Sequence, residues 1–130
     1  MQIEHHNPPT LHRNPAFSQV VTVEGARKLI FVGGQNAVDA TGNIVGDDLA
    51  AQTAQALSNV LAALAAVNAG SQHVVRLAVY LTPNHDAREA FSAAQKVWGA
   101  HPTAITVLTV AGLAHPRFLV EIEATATIGA

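Results

Sequence analysis

Glu121 and Glu123, in the run LVEIEATA, stand two residues apart, a spacing that puts both carboxylates on one face of a β-strand. A half-buried carboxylate serves as general acid or base. Glu121, nearer the middle of the strand, is the catalytic candidate, whereas an ion pair with Arg76 or Arg117 fits Glu123 better. The second suggestive run is LIFVGGQNAV, where an apolar strand meets Gly33, Gly34 and Gln35. A dinucleotide fingerprint needs G-x-G-x-x-G opening onto a helix, and a phosphate loop needs Lys-Ser/Thr after its last glycine. Neither is present, and the next helix starts a dozen residues later behind Asp47 and Asp48, which repel phosphate. By themselves the paired glycines mark a bulge or a close backbone approach.

The histidines carry less. Glu4, His5, His6 and His12 are close in sequence, and His85, His101 and His115 fall in expected loops, but no H-x-x-x-H or H-E-x-x-H occurs. No metal site is expected, nor any cofactor. Ser18, Ser58, Ser71 and Ser92 lie outside any G-x-S-x-G turn, so serine hydrolysis is not expected either.

Those candidates need elements to hold them. After a Pro/His-rich lead-in to about Pro15, SQVVTV and KLIFVGG read as two strands of a hairpin turned at Gly25. Asp47 or Asp48 offers an N-cap to a helix over 48–68, with Leu57, Val60, Leu61, Leu64 and Val67 on one side, ending near Gly70. HVVRLAVYL (73–81) reads as a strand packed on both faces. A second helix over 86–99 aligns Ala87, Ala90, Phe91, Ala94 and Trp98. Strands over 104–110 and 118–126 follow; in the last, Phe118, Val120, Ile122 and Ala124 form an apolar face for the helices. The order ββ-α-β-α-ββ implies a two-layer α+β domain over 1–130, with both helices covering one sheet face. The other face, with Val74, Leu108, Val110 and Leu119, is apolar enough to imply oligomerisation.

Bulk properties narrow the class. The chain has 130 residues, 49% of them apolar and 12% charged, enough to bury roughly two thirds of its unfolded surface. The net charge is −2, and the seven basic residues (Arg13, Arg27, Lys28, Arg76, Arg88, Lys96, Arg117) are scattered, leaving no track for a phosphate backbone. Nucleic acid is therefore not the expected partner. There is no cysteine, no signal-like N-terminus and no apolar run of membrane-spanning length, so a cytoplasmic protein without membrane attachment is expected.

Taken together, NPAFSQVV, FVGGQNAVDATGNIVGDDLAAQTAQALSNVLAAL, VVRLAVYL, HPTAITV and LVEIEATA resemble the RidA/YjgF family, also called L-PSP endoribonuclease-like, over about 16–127. The resemblance implies a chorismate-mutase-like (bacillus type) subunit in a barrel-like homotrimer, with ligand clefts between neighbouring subunits. It also implies hydrolysis of reactive enamines and imines without metal or cofactor.

Carried over residue by residue, the resemblance sets Phe17 as an aromatic wall that lacks the family's tyrosine hydroxyl. Gly33, Gly34 and Gln35 correspond to the S-G-Q lining of a small-molecule cleft, with Gly33 giving up the serine. The E-I-E-A motif is intact and puts Glu121 where a water-positioning carboxylate stands. The P-A-R motif is Pro102-Thr103-Ala104 here. Deaminase members clamp the substrate carboxylate with that arginine, and loss of such a contact costs on the order of 1.5–3 kcal/mol, about ten- to more than a hundredfold in affinity. Arg117 shares strand parity with Glu121 but lies four residues away, roughly 13 Å along a strand, so it would have to reach in from the rim or from a neighbouring subunit. Two expectations stay open: a hydrolase for small imines or enamines with weak activity on 2-imino acids, and a non-catalytic trimer that binds a metabolite. Ribonuclease activity comes third.

Overall fold

The computed structural model describes residues 1–129. Its strands are β1 (Gln2–His6), β2 (Val20–Glu24), β3 (Lys28–Gln35), β4 (Val74–Leu81), β5 (Ala104–Thr109) and β6 (Val120–Ile128); its helices are α1 (Leu49–Ala65) and α2 (Ala87–Trp98). The main sheet has the order β3-β6-β4-β5. β6 runs antiparallel to both neighbours, and β4 and β5 are parallel, joined by α2 as crossover. With two helices on a mixed sheet, the fold is two-layer α+β.

Both helices start where a carboxylate can hold a free backbone N–H. The Asp48 side chain accepts from Ala51 N at 2.8 Å, and Asp86 accepts from Arg88 N at 2.9 Å. The Arg88 guanidinium also folds onto Asp86 and holds its carboxyl below the usual carboxylate range. α1 is the better buried of the two, inserting Leu49, Ala56, Leu57, Val60 and Leu64. It ends at Ala65, three residues before the expected limit, because Asn68 rather than Gly70 takes the positive φ of 60° that reverses the chain. α2 buries only Ala90 and Trp98, leaving Phe91 of its expected stripe 42% exposed, and stops at Gly99 with φ 79°.

Below the helices, Ile30 and Val32 of β3, Leu77 and Leu81 of β4, and Val120, Ile122, Ala124 and Ala126 of β6 complete the core. Cross-strand pairs such as Leu77 with Ala124 and Val79 with Ile122 keep these side chains on one face.

Four expectations need correction. The lead-in contains a strand, and β1 pairs with β2 over five residues in a separate two-stranded ribbon. The hairpin does not form: Gly25 makes the turn with φ 71°, but Arg27 N already donates to Ile128 O in the β3–β6 ladder while β2 pairs with β1. β6 opens at Val120 rather than Phe118, since Phe118 N closes a turn onto His115 O. Finally, a bulge between Val74 and Arg76 turns Val74 into the core; Leu119 packs against that core and Val110 lies beyond β5. Leu108 (48% exposed) stands on the helix-free face as expected, and Leu29 (56%) and Phe31 (74%) supply the rest of its apolar character.

Candidate functional site

Glu121 is the first outward-facing residue of β6, and three elements fix its place. Buried Gln52 of α1 accepts from Leu119 N at 2.9 Å and donates to the Arg117 and Gly46 carbonyls at 2.9 and 3.1 Å, which clamps the entry to β6. On the neighbouring strand the β3–β6 register slips between Val32 and Gln35, so Gly33 and Gly34 form a bulge. Gly34 is also a close approach: a Cβ there would lie 2.8 Å from Cδ of Glu121 and 3.0 Å from its Cγ, closer still to Oε2, whereas one at Gly33 would meet nothing within 4 Å. Gln35 folds back and donates to Gly33 O at 3.0 Å, bracing the bulge. Asn36 then donates from Nδ2 to Glu121 Oε1 at 3.2 Å and to Val120 O at 3.1 Å.

Alternation along β4 places Arg76, Ala78 and Tyr80 on the same helix-free face, where Tyr80 is the register partner of Glu121. The Tyr80 hydroxyl donates to Glu123, and that carboxylate holds the phenol's pKa above its usual value. Glu123 therefore takes a tyrosine as its partner; no ion pair to Arg76 or Arg117 forms among the described residues.

Phe17 and Ala104 belong to the other end of the sheet. Ala104 opens β5 opposite Arg76, which pairs with Thr125, four residues from Glu121 along β6. That is roughly 13 Å along the strands and about 10 Å across them. The backbone next to Phe17 is held at the start of β5 by its neighbour Ser18, whose N–H donates to Thr103 O at 3.0 Å and whose hydroxyl donates to Pro102 O at 2.6 Å. Because that hydroxyl proton is committed, His5 Nδ1 carries the proton in its 2.9 Å bond to Ser18 Oγ. Phe17 also meets His12 edge to face, with ring centres 6.0 Å apart.

One chain thus joins Glu121, Gly33, Gly34 and Gln35 at one end and Phe17 and Ala104 at the other. Arg117 stands exposed in the turn before β6, so parity along that strand does not aim it at Glu121. His6 pairs with Thr22 and Glu4, and no three metal-ligating side chains converge among the described residues. A hollow of about 630 Å³ lies on the helix layer between α1 and α2, floored by Ala50, Ala54 and Ala93, with no group of the candidate site in it.

Sequence reasoning passed over Asn36, Tyr80 and the anchoring Asn59. A signal existed for Asn59, a polar residue at the edge of the apolar α1 stripe, between Leu57 and Val60 in sequence. Its Nδ2 donates to the carbonyls of Asn36 and Val38 at 3.0 and 2.8 Å, while Gln55 Nε2 donates to its Oδ1 at 2.9 Å.

Comparison with known proteins follows the same outline. The profile of the family described as Endoribonuclease L-PSP matches residues 10–128. Protein DfrA of Myxococcus xanthus is 36% identical over 116 residues, 85% of this chain and 83% of that protein. Among solved structures, the Rid-family protein YyfB of Yersinia pestis is 36% identical with a TM-score of 0.87, over 98% of this chain and 100% of that one. The YjgF-family protein Rv2704 of Mycobacterium tuberculosis is 31% identical with a TM-score of 0.68, over 86% of each chain.

Proposed function

The chain belongs to the Endoribonuclease L-PSP family, the Rid/YjgF proteins, and from that premise we propose that it binds and hydrolyses a small imine or enamine in clefts between the subunits of a homotrimer. One observation carries this reading. The uncovered sheet face holds two half-sites at opposite ends, Glu121 over Gly34 and Phe17 beside Ala104, too far apart to serve one small ligand within a chain. A cleft between copies unites them when one subunit's first end meets the next subunit's second. The exposed Leu29, Phe31 and Leu108 on that face supply the apolar surface such an assembly buries.

In this cleft Glu121 takes a proton from water as it adds to the C=N carbon. Glu121 returns that proton to nitrogen to give a carbinolamine, which collapses to a carbonyl compound and an amine, or ammonia, as its hydroxyl proton passes through Glu121 to the departing nitrogen; an enamine enters the same route once protonated at carbon to the imine. Gly34 leaves room for the carboxylate, and Phe17 of the neighbouring copy forms the apolar wall. Ala104 itself offers no cation, so a carboxylate clamp at this end would fall to Arg76 beside it, and substrates without a carboxylate are favoured over 2-imino acids. No step requires a metal or cofactor.

A second reading, a trimer that binds a metabolite without transforming it, is favoured by the same alanine. The two separate in one assay: release of ammonia or amine from a panel of freshly generated imines, with Glu121→Gln as control. Turnover that depends on Glu121 supports the hydrolase. Saturable binding without turnover supports the second reading. The ribonuclease in the family's description has little to recommend it here, as the seven basic side chains form no track.

A further inference from the structure

We propose that Asn36 is a positioning residue that fixes which oxygen of Glu121 is presented to the cleft. The inference rests on the reading of Glu121 as the reacting carboxylate and adds to it a chain of hydrogen bonds from α1. Only the NH2 end of a carboxamide can serve both a backbone carbonyl and a carboxylate oxygen, so the two bonds from Asn36 Nδ2, to Val120 O at 3.1 Å and Glu121 Oε1 at 3.2 Å, settle its orientation. The backbone beneath it is clasped in turn. Asn36 O accepts from Val38 N at 2.8 Å and from Asn59 Nδ2 at 3.0 Å, and Gln55 braces Asn59 one helical turn earlier.

The consequence for Glu121 is asymmetric. Oε1 is tied to Asn36, while Oε2 lies against the Gly34 backbone with no hydrogen-bond partner among the described residues. Oε2 is therefore the oxygen left to orient water, and the carboxylate plane is set by a residue that does not touch the substrate. A bond to a charged acceptor is stronger than a neutral one, which suits Asn36 to hold Glu121 in one rotamer against the mobility of an uncovered face.

Two measurements test this. In the unliganded, isotope-labelled protein, side-chain scalar couplings of Glu121 should report a single χ1 rotamer, and Asn36→Leu should average them. In the imine assay Asn36→Leu should lower kcat by about ten- to a hundredfold with little change in KM, and it should cost nothing further in a Glu121→Gln background. Asn36→Asp, isosteric but without the N–H donors, should repeat the averaging and serves if the leucine variant does not fold. A Glu121 that keeps one rotamer in either variant overturns the proposal, as do losses that add in full to those of Glu121→Gln. If no imine is turned over even by the parent, the catalytic reading of Glu121 falls, while the couplings still decide whether Asn36 positions it.

Discussion

The two ends of the uncovered sheet face are built to different standards. At the Glu121 end, nearly every polar group is held from within the chain: Gln52 clamps the strand entry, Gln35 braces the bulge, and Asn36 and Asn59 connect the carboxylate to α1. At the Phe17 end, Ser18 ties the chain to Pro102 and Thr103, and Ala104 lies beside the exposed Arg76 with no comparable network of side-chain hydrogen bonds among the described residues. The difference teaches a division of labour. On the proposed function, chemistry would be preorganised inside one subunit and the choice of ligand left to the end that a neighbour brings in. The departures from the family's motifs fall at both ends: Phe17 and Ala104 at one, and Gly33 beside an unchanged Glu121 at the other.

The comparison can be broken at either end. Glu121→Gln should have the largest effect, lowering turnover of any substrate imine by about a hundred- to ten-thousandfold, the range for loss of a general acid–base, with an unchanged melting temperature. Next, Gly34→Ala should push the carboxylate off its seat and reduce kcat by about tenfold or more, with roughly 1–3 kcal/mol of destabilisation from overpacking. Gly33→Ala, with open space at its Cβ, should do neither in a parallel kinetic and thermal comparison. At the other end Ala104→Arg should raise affinity for pyruvate and similar small 2-keto acids by about tenfold to a hundredfold, read by calorimetry; no gain would mean that the wall has diverged beyond this residue. Ser18→Ala should be the mildest, weakening the tie to Pro102 and His5 by about 1–2 kcal/mol in denaturant melts, while leaving the rotamer of Glu121 untouched.

Much of this arrangement was legible in the sequence. Periodicity placed both helices, β4 and β5, because their apolar faces are long and their ends carry Asp48, Asp86 and Gly99. The Gly-Gly pair read correctly as bulge and close approach, though which side chain approached was hidden: Glu121 lies 87 positions away, and register across the sheet is a tertiary property. β1 escaped notice because QIEHH has a single apolar residue and finds its partner only through β2. The expected hairpin failed for a related reason: a turn signal at Gly25 fixes a reversal without fixing which edge pairs. Val74 changed faces through a bulge that alternation does not foresee. Asn36 and Tyr80 gave no signal, since an amide after a strand and a tyrosine within one are ordinary until their partners are known.

The central claim, that each cleft takes one end from one copy and the other end from its neighbour, is open to direct measurement because the chain contains no cysteine. Gly33→Cys and Ala104→Cys add one thiol at each half-site, at a position with open space and at one half-buried at a strand start. Within a chain these positions stand at opposite ends of the sheet and three strands apart in its order. A short bis-maleimide applied to the double variant should therefore link copies, giving covalent species of two and three times the 13.5 kDa chain mass, while each single variant stays uncoupled. Light scattering of the untreated protein should give the three-chain mass. A one-chain mass with no linked species would contradict the shared cleft and the function built on it.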